Sequence, residues 1–217
     1  MIEEGADLID IGAESTRPNA ERIEPSVQIE RLKLIIREIS KFPTSIDTRS
    51  SEVARFALDN GALVVNDVSG MDFDFKIIDV VSEYDAGIIL QHSSLRTEDR
   101  PVYKDVVEEV YLNLLEKAKI AQEKGVKNII LDPGIGFGKT KENCFEILNR
   151  IEEFYSLNLP IMVGLSRKSF LGLENSNDNS LKDALTLAIS YPLMKSNVDY
   201  LRVHNVKLHK QLLNSVI

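Results

Sequence analysis

Asn128-Ile129-Ile130-Leu131-Asp132-Pro133-Gly134-Ile135-Gly136-Phe137-Gly138-Lys139-Thr140 opens with an unbroken apolar run, ends that run on a carboxylate and then turns through three glycines. A strand with no polar alternation is expected where helices cover both faces of a parallel sheet. Working outward, the same unit recurs along the chain. Short β-branched runs are predicted as strands at 7–12, 44–47, 63–66, 87–91, 128–132, 161–165 and 200–203. Between them, apolar residues at helical spacing predict helices at 26–41, 51–60, 74–84, 104–124, 142–157 and 181–196, with a last one at 206–216. Strand, helix, strand, repeated, means parallel strands joined by right-handed crossovers.

A closed eight-stranded barrel and an open doubly wound sheet both satisfy that alternation. The strand ends separate them. Asp10, Asp47, Asn66 with Asp67, Gln91 with His92, Asp132, Ser166 to Lys168, and Arg202 with His204 are polar groups at or near strand C-termini. In a barrel these ends converge on one rim, whereas the outer strands of an open sheet lie too far apart to share a ligand. The expectation is an α/β chain folded as a (β/α)8 TIM barrel, with about seven of the eight strands present. The chain has 217 residues, fewer than the roughly 250 typical of the fold. Residues 1–5 read as the last turn of a helix feeding the first strand, so the absent strand is expected ahead of Met1, and residues 1–217 are expected to form one N-terminally truncated domain.

Composition narrows the function. The net charge of −8 opposes association with nucleic acid or anionic lipid, so an anionic ligand needs a local cluster of cations. Apolar runs are far shorter than the roughly 20 residues that span a bilayer, and residues 1–6 lack the basic and apolar regions of a secretion signal. The only cysteine, Cys144, excludes an internal disulfide framework and fits a reducing, cytoplasmic compartment.

The glycine-rich turn after Asp132 invites a nucleotide reading that fails. A phosphate-binding loop of the Walker type needs glycine where Pro133 stands, and a dinucleotide fingerprint needs glycine where Lys139 stands. Such a turn can serve only to reverse the chain. The carboxylate before it is harder to set aside, because an unpaired carboxylate costs several kcal/mol to desolvate and must face donors, whether a structural cation or ligand N–H groups. Asp47 and Asn66 pose the same question from neighbouring strands. Two carboxylates and an amide around one cavity match the guanidine-like edge of a pterin. Arg202 and His204, two residues apart, are expected on one face and, with Arg17 from the long loop at 14–25, form a cationic pocket; pairing of Arg202 with a structural acid is the alternative. Two or three charge-assisted bonds at about 1.5–3 kcal/mol each would hold a diphosphate. His92 is expected to be structural. His92, His204 and His209 lack metal-ligand spacing, so no zinc site is expected. The charged residues of 104–124, including Glu108, Glu109, Lys117 and Lys119, are expected on a solvated outer face. Residues 175–180 are expected to be a mobile rim loop.

Taken in order, Asp10-Ile11-Gly12-Ala13-Glu14-Ser15-Thr16-Arg17-Pro18, Ser45-Ile46-Asp47-Thr48, Asn66-Asp67-Val68-Ser69-Gly70, Asp132 through Lys139, the segment 164–172 and Arg202-Val203-His204 resemble the dihydropteroate synthase family over the whole chain. The resemblance implies a (β/α)8 barrel of folate synthesis that condenses a pterin pyrophosphate with p-aminobenzoate, requires Mg²⁺, acts as a homodimer and is the target of sulfonamides. It puts the pterin among Asp47, Asn66, Asp132 and Lys168, with Val68 and Gly164 lining the pocket. The pyrophosphate falls to Arg202 and His204, with Thr16 and Arg17 closing from the loop. Phe137, Ser169 and Pro18 lie toward p-aminobenzoate. The catalytic set is then Asp47, Asp132, Lys168, Arg202 and His204. No metal ligand is assigned, because the family's magnesium-binding asparagine belongs to the absent first segment. Gln91 departs from the family's methionine, and Asn19 from its glycine. Two rivals remain. A methyltetrahydrofolate-dependent methyltransferase shares the barrel and the pterin carboxylates but needs no diphosphate pocket, and a non-catalytic pterin-binding remnant needs no leaving-group chemistry.

Overall fold

The structure, a computed structural model, describes residues 1–15, 21–94, 102–173 and 176–216. After a short 3₁₀ turn at Ile2–Glu4 come seven strands, β1 (Ile9–Gly12), β2 (Thr44–Asp47), β3 (Val64–Asp67), β4 (Gly87–Gln91), β5 (Asn128–Asp132), β6 (Met162–Gly164) and β7 (Tyr200–Arg202). The helices are α1 (Pro25–Lys33), α2 (Ile36–Ile39), α3 (Ser51–Asp59), α4 (Lys76–Glu83), α5 (Val106–Glu123), α6 (Lys141–Asn149), α7 (Asn179–Lys195) and α8 (Val206–Val216). Each strand pairs in parallel with the next: β1 to β5 form one sheet, β6 pairs with β7, and a parallel bridge from Leu131 to Ile161 joins the two. The expected strands and their order stand, within two residues at each end.

The chain is of the α/β barrel type, and its curvature is read from side chains rather than from a closing ladder. Arg202 on β7 reaches Asp10 on β1 at 2.9 Å, so the sheet curls until its last strand faces its first. Among the described residues β1 and β7 share no ladder; a cavity of about 560 Å³ lies between them, lined from both edges by residues such as Leu8, Ile9, Leu201 and Val203. The central strands are dry. All five residues of β4 are buried, and Ile88, Leu90, Ile129 and Leu131 join Val53, Ile77, Val81, Val110 and Leu114 from the covering helices in one apolar cluster. At roughly 1.5–3 kcal/mol for each large side chain so buried, this cluster is the main source of stability.

Helix starts follow local chemistry. Ser50 accepts from the Val53 N–H, Asp105 from Val107 and Glu108, and Asp178 from Ser180 and Leu181, while Thr140 and Asn143 close a capping box. Asp178 therefore turns the second half of the expected rim loop into a helix start; Glu174 and Asn175 lie outside the described residues. The expected single helix at 26–41 is broken between α1 and α2. Leu34, Ile35 and Ile36 would project in three directions from a helix, and the core accepts only Ile36 while Leu34 stays 83% exposed; the β-branched pair adds little helix propensity to resist the break. The helix expected at 142–157 likewise ends at Asn149 and continues as a 3₁₀ turn, Ile151–Leu157. Lys117 corrects the reading of α5 as a purely solvated face. It shares a stripe with Val110, Leu114 and Ala121, is only 5% exposed and donates to the Ser69 carbonyl at 3.2 Å and to Asp72 at 3.0 Å. A buried ammonium needs such partners, and here they tie down the loop that follows β3.

Candidate active site

Register places the polar strand ends on one face. Gly12 pairs with Asp47, Asp47 with Asn66, Asn66 with Ile89, Gln91 with Asp132, and Gly164 with Arg202. Paired residues in a parallel sheet point the same way and residues two apart share a face. Asp10, Ser45, Asp47, Asn66, Asp132 and Arg202 therefore converge inside the curl, and Asp47, Arg202, His204, Lys168 and Gly164 border the 560 Å³ cavity.

Asp10 is the hub of this group. Its Oδ1 accepts from the Ser45 hydroxyl at 2.7 Å, and its Oδ2 from Asn66 Nδ2 at 2.9 Å and from Arg202 Nη1 at 2.9 Å. Arg202 also stands 3.6 Å from the Asp47 carboxylate. The guanidinium is thus engaged by acids and is no unpaired cation, the alternative that the sequence left open. Asp47 Oδ1 and Asn66 Oδ1 are buried and have no hydrogen-bond partner among the described residues. Burial first, and then the neighbouring Asp10 charge, push the Asp47 carboxyl up to about 7 in spite of Arg202. Asp132 is 1% exposed, its Oδ1 accepts from the Gly134 N–H at 2.7 Å, and burial raises its pKa while Lys168 and that N–H oppose the rise.

The glycine-rich turn is a packed element. Gly134 has a φ of 69°, and a Cβ there would meet the His92 carbonyl oxygen at 1.8 Å, so only glycine fits. Lys139 holds the turn from within: its amine donates to His92 Nδ1 at 2.8 Å, to the Gly134 carbonyl at 2.9 Å and to the Phe137 carbonyl at 3.3 Å. Burial lowers Lys139 to about 7, and burial with the adjacent Lys139 charge holds the His92 imidazole down to about 2. His92 is therefore a neutral acceptor in a structural contact, as expected. Lys168 crosses from the segment after β6, donates to the Ile135 carbonyl and lies 4.6 Å from the centre of the Phe137 ring; burial lowers its amine to about 8. His204 Nδ1 sits 2.9 Å from the Ser166 hydroxyl. Val68 is fully buried behind β3, where Gln91 donates to its carbonyl at 3.4 Å, and Ser169 is exposed at the start of a 3₁₀ turn. Thr16, Arg17, Pro18 and Asn19 lie outside the described residues.

Three residues of this cluster were not read as site residues in the sequence: Asp10, Ser45 and Lys139. For Asp10 a signal was there, since an acid between Ile9 and Ile11 inside a strand must find donors.

Comparison with known proteins decides the family. A family model described as pterin binding enzyme matches residues 1–204. The chain belongs to that family. The dihydropteroate synthase of Clostridium beijerinckii is 40% identical over 212 residues, which is 95% of this chain and 77% of that protein. A solved dihydropteroate synthase from Anaplasma phagocytophilum with bound 6-hydroxymethylpterin-monophosphate superposes with a TM-score of 0.92 at 34% identity, covering 100% of this chain and 91% of that one. The Xanthomonas albilineans dihydropteroate synthase with 4-aminobenzoic acid gives a TM-score of 0.91 at 32% identity, covering 99% and 79%. Within the pterin-binding family, the converging acids on the inner face of the curl are the natural candidate for the pterin site.

Proposed function

We infer that this chain is a dihydropteroate synthase, a transferase that joins 6-hydroxymethyl-7,8-dihydropterin pyrophosphate to p-aminobenzoate and releases pyrophosphate. The observation that carries the reading is the pair of buried acceptors, Asp47 Oδ1 and Asn66 Oδ1, that find no partner among the described residues, beside the buried Asp132 carboxylate. Unsatisfied acceptors of this kind cost about 1–3 kcal/mol each, and the amino and ring N–H groups of a pterin would relieve that cost. A methyltransferase would have the same use for the acids but none for Arg202 and His204, which border a cavity together with Asp47.

In this reading the reaction is substitution at the pterin methylene. The carbon–oxygen bond to pyrophosphate breaks first or largely first, its electron pair leaving with the pyrophosphate; the aniline nitrogen then supplies its electron pair to the resulting cation and loses its proton to solvent or pyrophosphate. Asp47, Asn66 and Asp132 hold the ring and, when ionised, the two carboxylates stabilise the electron-poor system formed as the leaving group departs. Lys168 borders the pterin, with Val68 and Gly164 as walls. Arg202 and His204 are assigned to the pyrophosphate and Phe137 and Ser169 to p-aminobenzoate, while the roles of Thr16 and Arg17 toward the pyrophosphate and of Pro18 toward p-aminobenzoate rest on the family resemblance alone. Among the described residues no three His, Cys, Asp or Glu side chains gather to hold a metal ion. Mg²⁺ is held mainly by substrate phosphates and water, and its place as the counter-ion of the diphosphate rests on the family resemblance.

A homodimer and a cytoplasmic home complete the proposal. The first is supported by Leu181 and Tyr191, which α7 leaves exposed, and the second by Cys144, the one cysteine of the sequence, whose thiol is buried. No helix among the described residues is long and apolar enough to cross a membrane. Incubation with the pterin pyrophosphate and p-aminobenzoate, with and without Mg²⁺, tests the activity. Dihydropteroate and pyrophosphate formed in equal amounts support it; pterin binding without product supports the non-catalytic rival instead.

A further inference from the structure

We propose that Asp10 is a positioning residue that sets the hydrogen-bond polarity of the ligand-binding edge: by taking the donors of Ser45, Asn66 and Arg202, it leaves the Asn66 carbonyl oxygen, beside Asp47, as the acceptor for ligand N–H groups. The inference rests on the pterin reading of the same site and deepens it. A carboxylate only accepts, so the Asn66 group 2.9 Å from Asp10 Oδ2 must be its NH₂. That fixes an amide which could otherwise face either way, and the oxygen left over is the buried atom with no partner among the described residues. The same carboxylate fixes Arg202 across the curl at 2.9 Å, from a residue 192 positions away. Ser45 donates to its second oxygen at 2.7 Å and completes the set. With three strands supplying the donors, Asp10 has no need of a ligand of its own.

An amide in place of this carboxylate would break the logic. Its NH₂ could itself donate, which permits Asn66 to turn and present its own NH₂ where the ligand also presents N–H. Asp10→Asn is therefore expected to weaken binding of 6-hydroxymethylpterin monophosphate about tenfold or more by calorimetry, since a charge-assisted bond and one ligand acceptor are lost together.

A second readout separates positioning from mere support of the fold. The charged groups that act on Asp47 are Asp10 on β1, Arg202 across the curl on β7, Asp67 on β3, Arg49 and Lys168. Removing the Asp10 charge should move the Asp47 midpoint, followed by carboxyl ¹³C resonance in ligand-free protein, to the acid side by about one unit. A folded Asp10→Asn protein with wild-type pterin affinity, or with an unmoved Asp47 midpoint, overturns the proposal. Should that variant not fold, solvent exchange of the Asn66 side-chain amide in the wild-type protein decides: slow exchange agrees with a bond to Asp10, and fast exchange refutes it. Wild-type protein that binds no pterin sinks the proposed function, whereas the ligand-free titration still tests Asp10 by itself.

Discussion

Asp47 is an acid made weak by where it stands, and its protonation makes stability depend on pH. Its carboxyl keeps a proton up to about 7 in the folded protein, while in the unfolded chain it keeps one only up to about 4. Between these values the native state binds more protons. The Asp47 contribution to stability is therefore fully present below about pH 4 and is lost as pH climbs through about 7. Asp47→Asn should remove that part of the pH dependence, read as urea midpoints from about pH 5 to about pH 8. An unchanged slope would mean that the carboxyl is ionised throughout. If the ionised form grips the pterin, wild-type activity rises with pH through the same window. Asp132 offers a direct test of recognition: Asp132→Ala should cost more than about 1.5 kcal/mol of pterin binding, because a carboxylate bond exceeds a neutral one, and unchanged calorimetric affinity would remove it from the site. Asp47, Asn66 and Asp132 were legible as candidates because each polar group ends an apolar strand. Asp10 was legible as one of the polar groups bound for the rim, but not as the acceptor shared by Ser45, Asn66 and Arg202.

The segment after β5 acts as an element although it is neither helix nor strand. Two lysines hold it, Lys139 from within and Lys168 from the segment after β6, and its backbone lies against His92 closely enough to require Gly134. Gly134→Ala should destabilise the protein by about 2 kcal/mol or more, since positive φ and a backbone collision act together. Lys139→Met keeps the volume but strands the acceptors of His92, Gly134 and Phe137. At about 1–3 kcal/mol per unsatisfied buried group, it too should lower stability by roughly 2 kcal/mol, and chemical denaturation measures both variants. Element bounds were well marked in the sequence wherever a capping side chain or a β-branched run fixed them locally. They were misjudged where the deciding partner was distant. Lys117 reads as one more surface charge until the Ser69 carbonyl and Asp72 appear against it, and the 26–41 pattern does not reveal that the core has room for Ile36 but not for Leu34.

At the scale of the whole molecule, the seven parallel strands are unequal. β4 lies mid-sheet with every residue buried, whereas β7, among the described residues, has a neighbour on one side only and its first residue, Tyr200, is exposed. Native-state hydrogen exchange should show β4 amides opening only with global unfolding and β7 amides opening at lower free energy; equal protection in both strands would mean that β7 is held by more than the contacts seen here. The alternation of strand and helix, the parallel sheet, the helix starts and the acids at the strand ends were all determined by the sequence itself, because periodicity, capping and chain reversal act over a few neighbouring residues. Which donors meet which acids was decided by tertiary structure. Asp10 and Arg202 are almost a full chain apart, and only the curl of the sheet brings them within 2.9 Å. The buried environment that raises Asp47 and lowers Lys139 and Lys168 has the same origin, because desolvation belongs to the packed interior and to no single stretch of chain.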